Sequence, residues 1–237
     1  IYRRWRRIGD SYTPKRVFAG EIWVGRPHRL ARYVRNDELH TAFNFDYLVC
    51  PWRAELLRQT IDDTITSHAA VGAPPTWVLS NHDVPREVSR YARPQPDHLV
   101  RLTLSTLLPH QPDFALGLRR ARAAALLMLA LPGSAYIYQG GELGLPEVED
   151  IPDELLQDPM FRQTGGADRG RDGCRVPLPW SGDTPPFGFS PAAATSPPWL
   201  PQPVSWGPMT AAAQSTDPDS PLALYRKALQ VRRTNPA

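Results

Sequence analysis

Little in this chain would cross-link it, anchor it in a membrane or bind a nucleotide. Only two cysteines, Cys50 and Cys174, occur in 237 residues, and they lie far apart. That argues against a disulfide framework, and no Cys-x-x-Cys metal pattern exists, so no metal ligand set is expected. Reduced thiols of a cytoplasmic protein are the default expectation. The longest apolar run, 123–131, falls far short of the ~20 residues that cross a bilayer, so no membrane partner is expected. Neither a G-x-G-x-x-G opening a helix nor a phosphate-loop lysine motif occurs, which leaves a nucleotide cofactor without support; no cofactor is expected. There is no initiator Met before Ile1 and no signal-peptide pattern. The sequence starts inside an apparent helix (1–8) and stops abruptly after Asn235-Pro236-Ala237. It reads as a piece of a longer protein. Arginine is dense in the first eight residues and again at Arg119, Arg120 and Arg122, with a net charge of +3. These arginines are not interleaved with aromatic platforms, so they read as solvated helix faces and no nucleic-acid partner is expected.

What is present is a globular composition, 41% hydrophobic, in a chain long enough for one domain with a sizeable core. The most informative stretch is Trp77-Val78-Leu79-Ser80-Asn81-His82-Asp83. An apolar segment runs straight into a polar cluster, as a buried parallel strand does when it delivers functional groups at its C-terminal end. Val17-Phe18-Ala19-Gly20-Glu21-Ile22-Trp23 ends the same way. Two strand tips with two carboxylates point to carboxylate chemistry, of which glycoside hydrolysis is the leading case.

Four strand-then-helix units follow one another. Strands are expected at 17–23, 40–45, 76–80 and 135–138. Helices are expected at 29–34, 52–70, 114–131 and 222–233, with a possible short one after the third strand. In the second helix Leu56, Leu57, Ile61, Ile65 and His68 recur at helical spacing. The third is rich in alanine and leucine, strong helix formers. Residues 146–221 hold more than half of the 27 prolines and few periodic apolar positions; a loop of that length is usually functional or disordered. Repeated β-α units in one direction imply an α/β fold with a parallel sheet. It would be half of an eight-stranded barrel or a small doubly wound sheet.

Gly20-Glu21-Ile22-Trp23-Val24 resembles the acid/base strand of the α-amylase superfamily of glycoside hydrolases. Ser80-Asn81-His82-Asp83 with Arg86 resembles the end of its seventh strand, and Ala42-Phe43-Asn44-Phe45 its sixth. Gly133-Ser134-Ala135-Tyr136-Ile137-Tyr138-Gln139-Gly140 with Glu142-Leu143-Gly144 is similar to its eighth. Arg171-Asp172-Gly173-Cys174-Arg175 with Pro177, Pro179 and Trp180 resembles the loop after that strand in the α-glucosidase and oligo-1,6-glucosidase branch. Five motifs in order cover nearly the whole chain. The resemblance implies that residues 1–237 are a partial glycoside hydrolase catalytic domain. They would be the C-terminal half, strands 5–8, of a (β/α)8 TIM barrel, with 146–221 as the long irregular loop after the last strand. The N-terminal half-barrel and any C-terminal β-domain would lie outside these residues. Two departures stand out: Gly141, where the branch usually has Glu, and Glu87 after Arg86. A lost loop hydrogen bond is expected at Gly141.

The resemblance also implies roles. Glu21 would be the general acid, then base, its proton held by the desolvating neighbours Ile22 and Trp23, because a Glu otherwise titrates near ~4.3. Asp83 would stabilise the oxocarbenium-like transition state, and both carboxyls would converge on one sugar-sized hollow. His82, Arg86, Asp172 and Arg175 would bind substrate. Trp23, Tyr136, Tyr138 and Trp180 are expected to pack rather than stack on sugar. The nucleophilic Asp of a Gly-Phe-Arg-x-Asp strand end is absent from this chain. The parent would then be a retaining α-glucosidase cleaving terminal α-linked glucose from short oligosaccharides. The piece itself would be inactive without the missing half-barrel and would self-associate at its open sheet edges. Two alternatives remain: a transglycosylating or isomerising relative such as a trehalose synthase, and a non-catalytic ectodomain associated with a transporter. The second loses weight because Glu21, His82 and Asp83 are all retained.

Overall fold

The computed structural model describes residues 1–191 and 193–235; the abrupt end at Pro236-Ala237 lies outside the described residues. The chain divides into two compact units. The first comprises Ile1–Leu79, Gln95–Val100 and Ala130–Tyr136, and the second Ser80–Pro94, Arg101–Leu129 and Ile137–Ala237.

The first unit carries α1 (Tyr2–Asp10), β1 (Ala19–Gly20), α2 (Pro27–Ala31), β2 (Thr41–Ala42), α3 (Phe45–Leu48), α4 (Ala54–Ala69), β3 (Thr76–Val78) and β4 (Ser134–Tyr136). β1 pairs with β2 and β3 with β4, both parallel, with Ala19 opposite Thr41 and Trp77 opposite Ala135. The Oγ1 atoms of Thr41 and Thr76 meet at 2.5 Å, which places β2 beside β3. The parallel βα order is as expected, but the ladders are shorter than the apolar runs. Val17 is 71% exposed and lies outside β1. Phe45 opens a helix rather than ending a strand, because Asn44 caps it: its side chain accepts from the Tyr47 amide at 3.0 Å. Trp77 is fully buried, with Nε1 donating to the Pro132 carbonyl at 2.7 Å. Gly133 sits at φ 95, and a Cβ there would lie 2.2 Å from the Pro75 carbonyl, so only glycine lets β4 start beside β3.

The inner face of α4 corrects the expected stripe. Thr60, Thr64 and His68 are its buried residues, while Leu57, Ile61 and Ile65 are half-buried. A polar stripe tolerates burial here because it is hydrogen-bonded. Asn44 Nδ2 donates to Thr64 Oγ1 at 3.0 Å, and His68 Nδ1 lies 3.0 Å from the Thr64 carbonyl. Burial holds the His68 imidazole below its ordinary pKa. Two of the four arginines of α1 are neutralised locally, Arg3 by Asp37 at 2.8 Å and Arg6 by Asp10 at 3.0 Å.

The second unit contains α5 (Glu87–Tyr91), α6 (Leu104–Leu107), α7 (Phe114–Ala130), α8 (Pro159–Gln163), α9 (Ala211–Ser215) and α10 (Pro221–Thr234). Gly117 lets α7 approach α5 closely, since a Cβ would meet the Val88 carbonyl at 2.3 Å. Arg120 and Arg122 of α7 donate to the carbonyls of Tyr91 and Asp219. α10 starts as its sequence directs, with Ser220 accepting from the Ala223 amide and Pro221 in the first turn. The segment 146–221 is not a bare excursion. Val148, Ile151, Leu156, Val176, Leu178, Phe187, Leu200 and Trp206 form a core together with Leu143 and Leu145 just before it. Short 3₁₀ turns and prolines set their spacing, so no helical or strand period marks them. Among the described residues, no helix is long and apolar enough to cross a membrane.

Candidate active site

Asp83 is aimed by a local turn, as Asn81 Oδ1 accepts from the Asp83 amide at 2.8 Å. Its carboxylate is then clamped from one side. Arg171 Nη1 donates to Oδ1 at 2.7 Å and Arg175 Nη2 to the same oxygen at 3.2 Å. Two further arginine contacts fix the backbone: Arg175 Nε to the His82 carbonyl and Arg101 Nη2 to the Asp83 carbonyl, both at 2.9 Å. His82 is exposed, with Nε2 3.6 Å from Asp83 Oδ1. Asp83 Oδ2 carries no hydrogen bond among the described residues. The result is a carboxylate fixed through one oxygen and offering the other.

The two arginines share a second acid. Asp158 Oδ2 accepts from Arg171 Nε at 2.6 Å and from Arg175 Nη1 at 3.3 Å, and Oδ1 caps α8 through the Met160 amide. Burial alone would raise the Asp158 pKa. The Arg171 hydrogen bond, the Met160 amide and the charges of Arg171 and Arg175 outweigh it and hold the carboxyl below the usual range. The Arg171 guanidinium is correspondingly raised, chiefly by its hydrogen bond to Asp158.

Two of the expected substrate contacts are corrected by burial. Asp172 is 1% exposed, and its Oδ2 accepts from the Gln157 and Asp158 amides at 2.6 and 2.8 Å. It pins the loop that carries Asp158. Arg86 is 0% exposed. Its Nη1 donates to the Gln139 carbonyl at 2.8 Å and Nη2 to the Cys174 carbonyl at 3.0 Å, and its guanidinium lies over the Tyr138 ring. A guanidinium without surface holds loops together rather than touching sugar. Tyr138 completes that knot by donating to the Cys174 carbonyl at 2.9 Å, and burial pushes its phenol up to about 12. Arg175 sits at the site, but as a clamp on Asp83.

Glu21 lies in the first unit, directly after β1, and is exposed. The expected desolvation by its neighbour is not seen, because Trp23 stacks on Phe45 at 4.0 Å. Tyr136 packs edge-on against Phe43, while Trp180 is 51% exposed. The two departures, Gly141 and Glu87, are one feature. A Cβ at Gly141 would come 2.9 Å from Glu87 Oε1, so the buried Glu87 side chain occupies that space. Cys50 and Cys174 are buried free thiols, and burial raises the Cys174 thiol.

Sequence reasoning missed Arg171, Asp158, Arg101 and Glu147. Arg171 stands four residues before Arg175 in the quoted loop motif; that spacing was the available signal. Glu147 is a buried carboxyl whose Oε2 accepts from the Arg86 amide at 2.8 Å. Burial raises it from 4.5 to about 8. The folded chain therefore keeps a proton that the unfolded chain gives up above pH 4.5. Stability from this group is full below that pH and is lost as pH rises toward 8. Thermal melts of the wild type are expected to decline across that window, and Glu147→Gln to flatten the decline. Asp158 acts in the opposite sense, its contribution vanishing as pH falls below the ordinary carboxylate range.

The family model described as alpha amylase, catalytic domain, matches residues 1–237. A probable alpha-glucosidase of Rhizobium meliloti (strain 1021) is 37% identical over 235 residues, which is 97% of this chain and 35% of that protein. The oligo-1,6-glucosidase IMA5 of Saccharomyces cerevisiae is 27% identical, covering 90% of this chain and 39% of that protein. The chain thus spans well under half the length of these relatives. Among solved structures, the alpha-glucosyl transfer enzyme XgtA superposes with a TM-score of 0.78 at 32% identity, over 100% of this chain and 39% of that one.

Proposed function

The chain belongs to the α-amylase family of glycoside hydrolases, whose catalytic domain is a TIM barrel, and from that premise we propose that it forms strands five to eight of a retaining α-glucosidase barrel. The substrate is a short oligosaccharide with a terminal α-linked glucose. One observation carries this reading: Asp83 is held by Arg171 and Arg175 through Oδ1 alone, with Oδ2 and the exposed His82 left for sugar hydroxyls. Such contacts tighten as the ring flattens toward the oxocarbenium ion, which is differential binding of the transition state. Fixing Asp83 beforehand with two charged donors removes reorganisation from the reaction itself. Glu21 protonates the leaving oxygen and then takes a proton from the incoming water. The covalent intermediate forms on an Asp supplied by the part of the enzyme that these residues do not contain. In retaining enzymes the two reacting carboxyls stand ~5–5.5 Å apart.

Purified 237-residue protein is expected to leave a nitrophenyl α-glucoside uncleaved, and a chain extended to include a Gly-Phe-Arg-x-Asp strand end is expected to release glucose with retained configuration. Turnover by the shorter chain would place the nucleophile among the present residues and refute the reading. Transfer to a sugar acceptor in place of water is the second reading, favoured by the likeness to a glucosyl transfer enzyme. Product analysis at high maltose separates the two.

A further inference from the structure

Two segments of the second unit meet at Glu147, which is 5% exposed. On one side its Oε2 accepts from the Arg86 amide at 2.8 Å, in the segment that carries Asp83, and its own amide donates to the buried Ser89 Oγ at 2.9 Å. On the other side lies the 3₁₀ turn Asp172–Cys174. Gly173 rests on the carboxyl: a Cβ there would lie 2.5 Å from Glu147 Oε1 and 2.3 Å from the Val148 carbonyl. The Val148 amide donates to the Gly173 carbonyl at 3.3 Å. That turn is flanked by Arg171 and Arg175, the two side chains that grip Asp83 Oδ1. One buried carboxyl thus touches both the segment that carries Asp83 and the turn that carries its clamp.

We propose that Glu147 is the positioning residue of the Asp83 clamp: uncharged, it is the floor under the Asp172–Cys174 turn, and its ionisation lifts that turn and slackens the hold of Arg171 and Arg175. The coupling rests on the geometry; its effect on a reaction rests on the glycosidase reading. A buried carboxylate needs water or a cation within reach. Gly173 occupies the space against Oε1 that hydration would need. The cations nearby are already engaged: Arg86 by the Gln139 and Cys174 carbonyls, Arg90 by the Pro85 carbonyl, and Arg171 by Asp83 and Asp158. Arg101 holds the Asp83 carbonyl, while Asp83, Asp168 and Glu149 add negative charge around the site. Burial accordingly holds the Glu147 carboxyl up at about 8. Burial also pushes the neighbouring Tyr138 phenol up to about 12 and raises the Cys174 thiol. The clamp is therefore firm at neutral pH and loosens as pH rises through about 8.

A general acid gives an alkaline limb of its own, so the test removes it. In an extended Glu21→Ala chain acting on a dinitrophenyl α-glucoside, whose departure needs no proton, kcat/KM reports formation of the covalent intermediate alone. It is expected to fall roughly tenfold between about pH 6.5 and pH 9, because a carboxyl that titrates at about 8 is only ~10% uncharged one unit higher. Adding Glu147→Gln, which stays neutral and keeps an acceptor for the Arg86 amide, is expected to cut that ratio to within about twofold. The clamp itself is read without turnover. Arg171 Nε donates to Asp158 and Arg175 Nε to the His82 carbonyl. With isotope-labelled arginine in the extended chain, both N–H resonances are expected to move together with a midpoint near 8, and to stay fixed in Glu147→Gln. Resonances unmoved up to about pH 9 in the chain that keeps Glu147, an absent alkaline limb, or a limb that survives Glu147→Gln overturns the proposal. Moving resonances in a chain without turnover defeat the glycosidase reading and uphold the positioning role; turnover with unmoved resonances does the reverse.

Discussion

Glu21→Gln, in a chain extended to carry the nucleophile, is expected to lower kcat on an unactivated α-glucoside by about 10²–10⁴-fold, the usual worth of a general acid–base. The amide keeps the shape of the side chain but cannot hand over a proton. Glu21 is exposed, so the substitution is expected to move stability by no more than ~0.5 kcal/mol. The loss should shrink for a substrate whose leaving group needs no proton. On this account its proton is held in the Michaelis complex, when the sugar excludes solvent from the exposed carboxyl and a nearby ionised carboxylate disfavours a second negative charge. Full activity in Glu21→Gln on an unactivated substrate would move the acid/base role elsewhere.

Arg86→Met is expected to act on folding instead. Met matches the length of the side chain and removes its charge and donors, leaving the carbonyls of Gln139 and Cys174 without the bonds recorded at 2.8 and 3.0 Å. Hydrogen bonds from a charged group contribute ~1.5–3 kcal/mol each. Two of them amount to roughly 3–6 kcal/mol, a large share of the ~5–15 kcal/mol that holds a typical domain together. Chemical denaturation should show a midpoint shifted sharply down, or a chain that does not fold at all. Gly140 is tied to the same arginine, since a Cβ there would come 2.7 Å from Arg86 Nη1. A sugar-binding role for Arg86 would give the opposite pattern: an unchanged midpoint and a raised KM.

The order of strands and helices was legible in the sequence because apolar runs alternate with proline and glycine stops, as at Pro74-Pro75 and Pro132-Gly133. The strand lengths were not, since a run such as 17–23 marks where apolar residues gather, whereas pairing depends on the neighbouring strand. Periodicity picked Leu57, Ile61 and His68 on α4, of which only His68 is buried, and passed over the buried Thr60 and Thr64, because a hydropathy pattern cannot see a polar residue whose partner lies elsewhere in the chain. The core of 146–221 was hidden for a related reason: Phe187, Leu200 and Trp206 meet through turns, without a fixed interval. At the candidate site, the cluster at the end of the third strand was visible as residue types. The roles of Arg86 and Asp172 were misread because a charged side chain in a functional motif looks the same in sequence whether it faces solvent or a buried carbonyl. Asp158 and Glu147 carried no local signal.

The assignment of Glu21 as acid/base of a double displacement is tested most directly by azide rescue. In an extended Glu21→Ala chain acting on a dinitrophenyl α-glucoside, the first step needs no acid. The second step stalls because water lacks its base. Azide needs none. Its addition is expected to raise the rate and to yield the α-glucosyl azide, with configuration retained. A rate indifferent to azide, or a β-glucosyl azide as product, would contradict the account.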